Sequence, residues 1–312
     1  MKDAAHFDIK TGKQTAAPHH PTFLRYYRWP VASWILDAWS VYSGIHLPGT
    51  GSLRFCALLS LRDSGAKVAA MATHKEQVLI RYHYQGIEEL FDEYADTFEE
   101  HLTKGLRYKT PELMKVQIDL ALATEALAGT GIKDGDGDEK SSSHRWKRCL
   151  DLGCGSGLAG DVYRSEVAYL EGCDISKEMV KICKKKDGIY NKAVHNNLMN
   201  HLRHQKDDSF DLILSADVVM YLHDNDLTAM IKEVHRVLES GGVLCFSTES
   251  LQDASEGETF RRLESERFAH SRKYVLDVAK EHGFECKRVD NVRVRMDDKR
   301  PILGDIFVLM KA

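Results

Sequence analysis

CLDLGCGSGLAGDVY, residues 149–163, joins a short apolar run, an acid and three glycines at alternate positions before the pattern turns helical. Asp151 closes the apolar run, and Gly153, Gly155 and Gly157 follow it. Glycine lets the chain turn sharply and lets a ligand approach the main chain. A helix that starts there points unpaired N–H groups at whatever anion lies in the turn. GSGLAG (155–160) satisfies G-x-G-x-x-G, yet an acid and a further glycine separate it from the strand. In dinucleotide folds the first glycine follows the strand directly, so that register is disfavoured; no G-K-[ST] follows, which excludes a P-loop. The register left is D-x-G-x-G-x-G.

Outward from this turn, apolar runs recur at 148–152, 167–173, 192–195, 210–215, 242–248, 286–294 and 305–310, with helical stretches at 157–165, 176–186 and 225–239. Strands alternating with helices make an α/β fold with a doubly wound, mostly parallel seven-stranded sheet, closed by a C-terminal β-β hairpin. Ligands of such sheets bind beyond the carboxyl ends of the strands, which is where the glycine turn lies.

Upstream, residues 1–22 are polar and read as disordered, and 23–85 form a helical, aromatic-rich N-terminal extension holding Trp29, Trp34 and Trp39. Arg25, Arg28, Pro30 and Asp37 interrupt it, so no transmembrane segment is expected; a helix packed on the main domain is favoured over an interfacial one. The first 20 residues lack the apolar stretch of a secretory signal. The main domain is 86–312, with a flexible linker at 128–148. Within it Phe91, Tyr94, Phe98, His101 and Leu102 share one helical face, and a second helix is predicted over 111–127. DGDGD in the linker fails as a calcium loop, because Glu139 and Arg145 stand where glycine and glutamate are required.

The formal net charge of −4 argues against nucleic acid as a partner. Seven scattered cysteines without C-x-x-C spacing argue against a metal or redox motif and indicate a reducing, intracellular and cytoplasmic setting, organellar import remaining open. Oligomeric state is not legible.

The glycine register resembles motif I of the class I S-adenosylmethionine-dependent methyltransferases, a Rossmann-like fold. GCDISKEMVKIC (172–183), VHNNLMNHL (194–202), SFDLILSADVVMYLHD (209–224) and RVLESGGVLCFSTE (236–249) follow in the order of that family. LFDEYADTFEEHLTKGLRYKTPELM (90–114), RFAHSRKYVLDVAKEHGFE (267–285) and the ending RPILGDIFVLMKA are similar to a group often fused to tetratricopeptide repeats, though no such repeat occurs here. The resemblance implies S-adenosylmethionine as cofactor, with S-adenosylhomocysteine as product, and methylation of an acceptor. It implies Asp174 as the acid that grips the two ribose hydroxyls. Asn197 stands where the family has the acid that meets the adenine amino group. Ile175, Met179, Leu198 and Asp217 complete the cofactor set with Asp151 and the three glycines. Asp151 either binds the cofactor's amino group or holds the loop, and Asn197 either meets adenine or caps a helix.

His223, His270 and Tyr221 are the catalytic candidates, the histidines as bases and Tyr221 as lining or packing. Tyr94 and Tyr108 could cover the cofactor. Arg267, His270, Arg293 and Arg295 are compatible with a carboxylate-bearing acceptor. The expected acceptor is a small molecule methylated on oxygen, nitrogen or thioether sulfur. A protein or RNA acceptor, a non-catalytic assembly factor and a dehydrogenase are the competing readings.

Overall fold

The computed structural model describes residues 83–127, 144–222, 224–297 and 300–312. The expectations for 1–22, for the extension up to 82, for linker residues 128–143 and for His223 lie outside the described residues. Helix α1 runs through 83–100, across the expected boundary at 85/86, and tightens into a π turn at His101–Gly105. Helix α2 spans Thr110–Leu127. The alternating part then follows: β1 Trp146–Leu152, α3 Leu158–Tyr163, β2 Val167–Asp174, α4 Lys177–Lys185, β3 Lys192–His195, α5 Leu198–Arg203, β4 Phe210–Ser215 and α6 Asp224–Val237. The chain ends with β5 Leu238–Ser250, β6 Phe260–Arg262, β7 Phe268–His270, α7 Arg272–Glu281, β8 Phe284–Asp297 and β9 Arg300–Lys311.

The strands β3-β2-β1-β4-β5 lie side by side and all run parallel. β9 adds antiparallel to β5, and β8 antiparallel to β9. These are the seven strands that the apolar runs predict. The sheet is nine-stranded because β6 and β7 add a short antiparallel hairpin. β7 pairs parallel with β5 through Glu249 and Ser250, while Glu249 also faces Gly304 of β9. It therefore lies on the β4 side of β5, just past the Ser215–Phe246 pair where β4 ends.

Both faces of the sheet are covered, which is why its central strands read as unbroken apolar runs rather than alternating ones. Leu150, Leu152, Ile213, Leu244 and Phe246 pack against Leu227, Met230, Ile231 and Val234 of α6 and Val275 and Val278 of α7. Cys149, Leu170, Leu212, Leu214 and Cys245 pack on the other side with Met114 and Ile118 of α2. A fully buried leucine contributes about 1.5–3 kcal/mol, so this core holds the strand ends in fixed positions. Local signals agree with it. The Ser176 hydroxyl oxygen caps α4 by accepting Met179 N–H, and Lys184 and Lys185 occupy its last turn, where cations complement the helix dipole.

Candidate functional site

The carboxyl ends of β1, β2, β4 and β5 meet at the glycine turn. Gly153 N–H and Cys154 N–H both donate to the Cys173 carbonyl, at 2.8 and 3.0 Å, so the turn is fastened to the end of β2. Gly153 has φ +76°, and a Cβ there would lie 2.2 Å from Val218 Cγ2. No other residue fits. Gly155 has φ +52°, but its nearest neighbour to an added Cβ would be the Phe98 ring of α1, at an ordinary 3.6 Å.

Two acids frame the turn. Asp174 Oδ2 accepts Gly155 N–H and its Oδ1 accepts Ser176 N–H, both at 2.8 Å. Burial lifts this carboxyl to about 6, against the pull of those two N–H groups and of His195, while Asp92 adds to the rise. Asp151 Oδ2 accepts the Tyr190 hydroxyl at 2.6 Å, and Asp151 Oδ1, though buried, has no hydrogen-bond partner among the described residues. Burial lifts Asp151 to about 7, with the Tyr190 bond opposing and the Asp174 charge reinforcing it. Of the two roles expected for Asp151, loop-holding through backbone N–H groups falls instead to Asp174 and the Cys173 carbonyl.

Asn197 is the N-cap of α5, its Oδ1 accepting Met199 N–H at 2.9 Å. The Ile175 carbonyl receives His195 Nε2 at 2.9 Å, Met179 is buried, and Leu198 packs half-buried against the core. Ile175 and Asn197 lie in the β2–α4 and β3–α5 connections, and Met179 and Leu198 in the first turns of the helices that follow.

On the β4–β5 side, Asp217 has φ +55° and is held by Ser247, whose Oγ donates to Oδ1 and accepts Asp217 N–H, both at 2.8 Å. Burial pushes Asp217 above the usual carboxylate range, with Arg295 opposing. Next to it lies a buried charge cluster. Arg295 and Arg267 both donate to Glu249 Oε1, the latter at 3.3 Å, and Arg295 stands 3.9 Å from Asp217 Oδ2. Of the four groups expected near the acceptor, Arg267, His270 and Arg295 are thus buried and Arg293 is exposed. The His270 ring is fully buried, 6.4 Å from the Phe260 ring and 6.5 Å from that of Tyr274. Tyr221 is half-buried, with His83 Nε2 3.0 Å from its carbonyl oxygen.

Helix α1 spans both halves. Phe98 faces Gly155, and the Phe91 ring meets Tyr221 edge-on at 5.5 Å. Tyr94 packs on Phe98 at 5.4 Å and bonds His101 Nδ1 through its hydroxyl. The apolar stripe is therefore a cover on the turn as well as packing. Tyr108 lies by Asp217 and Asp151, its hydroxyl pushed well up by burial.

Sequence reasoning missed Tyr190, Asp92 and Glu249. Tyr190 sits in a loop without periodicity. Asp92 is a polar residue on a helix whose apolar face drew the reading. Glu249 stands next to last in β5, and an acid closing an apolar run was the available signal.

Residues 150–246 match the model of a family described as a methyltransferase domain. The chain is 27% identical over 133 residues to the malonyl-[acyl-carrier protein] O-methyltransferase of Serratia marcescens, covering 42% of this chain and 49% of that protein. It is 33% identical over 109 residues to the protein of the same name from Hamiltonella defensa, covering 34% and 40%. The chain thus spans about half the length, or less, of these curated relatives. The magnesium protoporphyrin IX methyltransferase of Synechocystis, solved with S-adenosylhomocysteine bound, aligns with a TM-score of 0.49 at 14% identity, covering 74% of this chain and 100% of that one. The family match runs from Leu150 to Phe246, from β1 to the site end of β5, so it is the strand-and-turn framework of the site that is similar to a methyltransferase domain.

Proposed function

We propose that this protein transfers the methyl group of S-adenosylmethionine to a small-molecule acceptor seated between α1 and the carboxyl ends of β4, β5 and β7. The observation that carries the cofactor half is the buried Asp151 Oδ1. A buried carboxylate oxygen is costly without a hydrogen-bond donor, and the cofactor's amino group is a donor of the right charge. Asp174 has lone pairs left for ribose hydroxyls beyond its two N–H bonds. The glycine turn leaves main chain open to a close ligand.

When bound, the cofactor supplies a methyl group already activated on a sulfonium, so the work left to the protein is alignment and exclusion of water. Phe91, Tyr94 and Phe98 of α1 cover the turn, and Tyr221 and Asp217 line the side toward the acceptor. For an oxygen or nitrogen acceptor, Tyr94 can pass the departing proton to His101 Nδ1.

The finer reading is an acceptor that carries a carboxylate. Arg267 and Arg295, buried at the far end of the site, support it, as does the malonyl-[acyl-carrier protein] in the names of the two curated relatives. Calorimetric titration with S-adenosylmethionine, S-adenosylhomocysteine and NAD tests the cofactor. A labelled-methyl screen over small carboxylic acids, amines and thioethers tests the acceptor. Failure of both adenosyl compounds to bind overturns the proposal, and labelling of protein or RNA alone overturns the small-molecule part.

A further inference from the structure

Helix α1 carries a carboxylate into the cofactor half of the site. Asp92 Oδ1 accepts the Ser176 hydroxyl at 2.6 Å and Glu178 N–H at 3.1 Å. Ser176 is fully buried and uses its other groups as well. Its Oγ accepts Met179 N–H at 3.1 Å, and its N–H donates to Asp174 Oδ1 at 2.8 Å. Asp174 Oδ2 takes Gly155 N–H at 2.8 Å. An unbroken run of hydrogen bonds therefore joins Asp92, Ser176, Asp174 and Gly155, from the covering helix to the glycine turn.

The first turn of a nine-residue helix has donors without intrahelical partners. Ser176 satisfies Met179 N–H, and Asp92, from another element, satisfies Glu178 N–H. Its negative charge at that end also suits the helix dipole. The contact is thus a second cap for α4 supplied by α1, and it fixes the 174–178 turn. Phe98 against Gly155 and Phe91 against Tyr221 are set by the same helix, so whatever holds Asp92 in place also holds the cover of both halves.

We propose that Asp92 is a positioning residue that fastens α1 over the cofactor by shaping the turn from which Asp174 meets the ribose. The proposal rests on the reading of Asp174 as the ribose acid. Closure of α1 and seating of the cofactor become one event, and the wall formed by Phe91, Tyr94 and Tyr221 is complete for the acceptor only afterwards.

The test is calorimetric titration of the full chain with S-adenosylhomocysteine, comparing wild type with Asp92→Asn, together with hydrogen exchange over residues 86–102. Hydrogen bonds to a charged group support an expected loss of about tenfold in affinity for Asp92→Asn. At saturating S-adenosylhomocysteine, amides of 86–102 gain protection in wild type but not in the variant, while those around Gly155 and Ser176 gain it in both. Ser176→Ala gives a second variant, and its loss combined with Asp92→Asn falls short of additive, because one takes the donor and the other the acceptor's charge from the same bond. Unchanged affinity in Asp92→Asn, or equal protection of 86–102, overturns the proposal. Wild type that binds S-adenosylhomocysteine, with loss in Asp174→Ala but none in Asp92→Asn, overturns this coupling alone. Wild type that does not bind overturns the cofactor reading and this proposal with it.

Discussion

Tyr190 donates its hydroxyl to Asp151 Oδ2 at 2.6 Å and receives Gly160 N–H on the same oxygen at 3.0 Å, so one phenol ties the acid of β1 to the first turn of α3. The tie leaves Asp151 half satisfied, with Oδ1 buried and unpartnered among the described residues. A carboxylate so placed destabilises the ligand-free fold when it is charged and rewards a cation that reaches it.

That trade-off has a definite sign with pH. Asp151 is lifted to about 7 in the folded chain. Between about pH 4 and pH 7 the folded state therefore keeps a proton that the unfolded state has lost, and stability falls as pH rises through this window. Asp151→Asn keeps the acceptor for Tyr190 but cannot ionise. Its ligand-free melting temperature is expected to exceed that of wild type by roughly 5 °C at about pH 8, with the gap closing as pH falls toward 4. The same variant binds S-adenosylhomocysteine more weakly at pH 8. Scanning calorimetry across this range and titration at its upper end check both.

The glycines separate a folding requirement from a binding one. Gly153→Ala places a methyl 2.2 Å from Val218 Cγ2 at a positive φ, and overpacking plus strain make a loss of about 2–4 kcal/mol the expected outcome. Gly155→Ala meets only an ordinary contact with Phe98. It is expected to cost about 1 kcal/mol in stability and to weaken cofactor binding more than that, because its methyl stands where the ligand approaches the main chain. Urea denaturation with parallel titration of S-adenosylhomocysteine distinguishes the two.

Asp174→Ala removes the acceptor of both Gly155 N–H and Ser176 N–H. The chain is expected to remain folded while cofactor affinity falls by roughly 100-fold, the combined worth of two charged hydrogen bonds to ribose. Titration calorimetry measures it, and wild-type affinity in the variant would remove Asp174 from the site.

Glu249 is the shared partner of Arg267 and Arg295. Glu249→Ala leaves buried guanidinium charge behind, at an expected cost of about 3–5 kcal/mol. If an acceptor carboxylate seats against these arginines, millimolar malonate restores part of the lost melting temperature and chloride does not. No rescue by malonate would make the cluster structural and remove the main support for a carboxylate-bearing acceptor.

Much of this arrangement is legible in the sequence because the glycine turn and its flanking acids are short, local and constrained by backbone geometry. The turn after β1 requires glycine at Gly153 on steric grounds, and Asp174 ends an apolar strand at a readable spacing. The six longer strands of the seven likewise announce themselves through length, and the four-residue β3 through its place after α4. β6 and β7 do not: each has three residues, and FRR and FAH carry neither alternation nor an apolar run. Asp92, Tyr190 and Glu249 act across separations of 18 to 86 residues. Such pairings are decided by packing, which no window of sequence displays. Asn197 shows the converse, since its capping role follows from its position before α5 and was one of the two readings its neighbours allowed.

The placement of β7 beside β5, past the end of β4, bears on how such a protein changes over time. The glycine turn is fastened to β2 by main-chain bonds, Gly153 N–H and Cys154 N–H on the Cys173 carbonyl, which do not depend on the side chains that a point mutation changes. The opposite end is furnished by Glu249 of β5, Arg267 and His270 of the β6–β7 hairpin and Arg295 of β8, the hairpin being appended to a sheet that is otherwise complete. On the proposed function, inheritance can therefore reshape the acceptor end one residue at a time while the turn stays fixed, and the hairpin is where a new substrate preference would be written first.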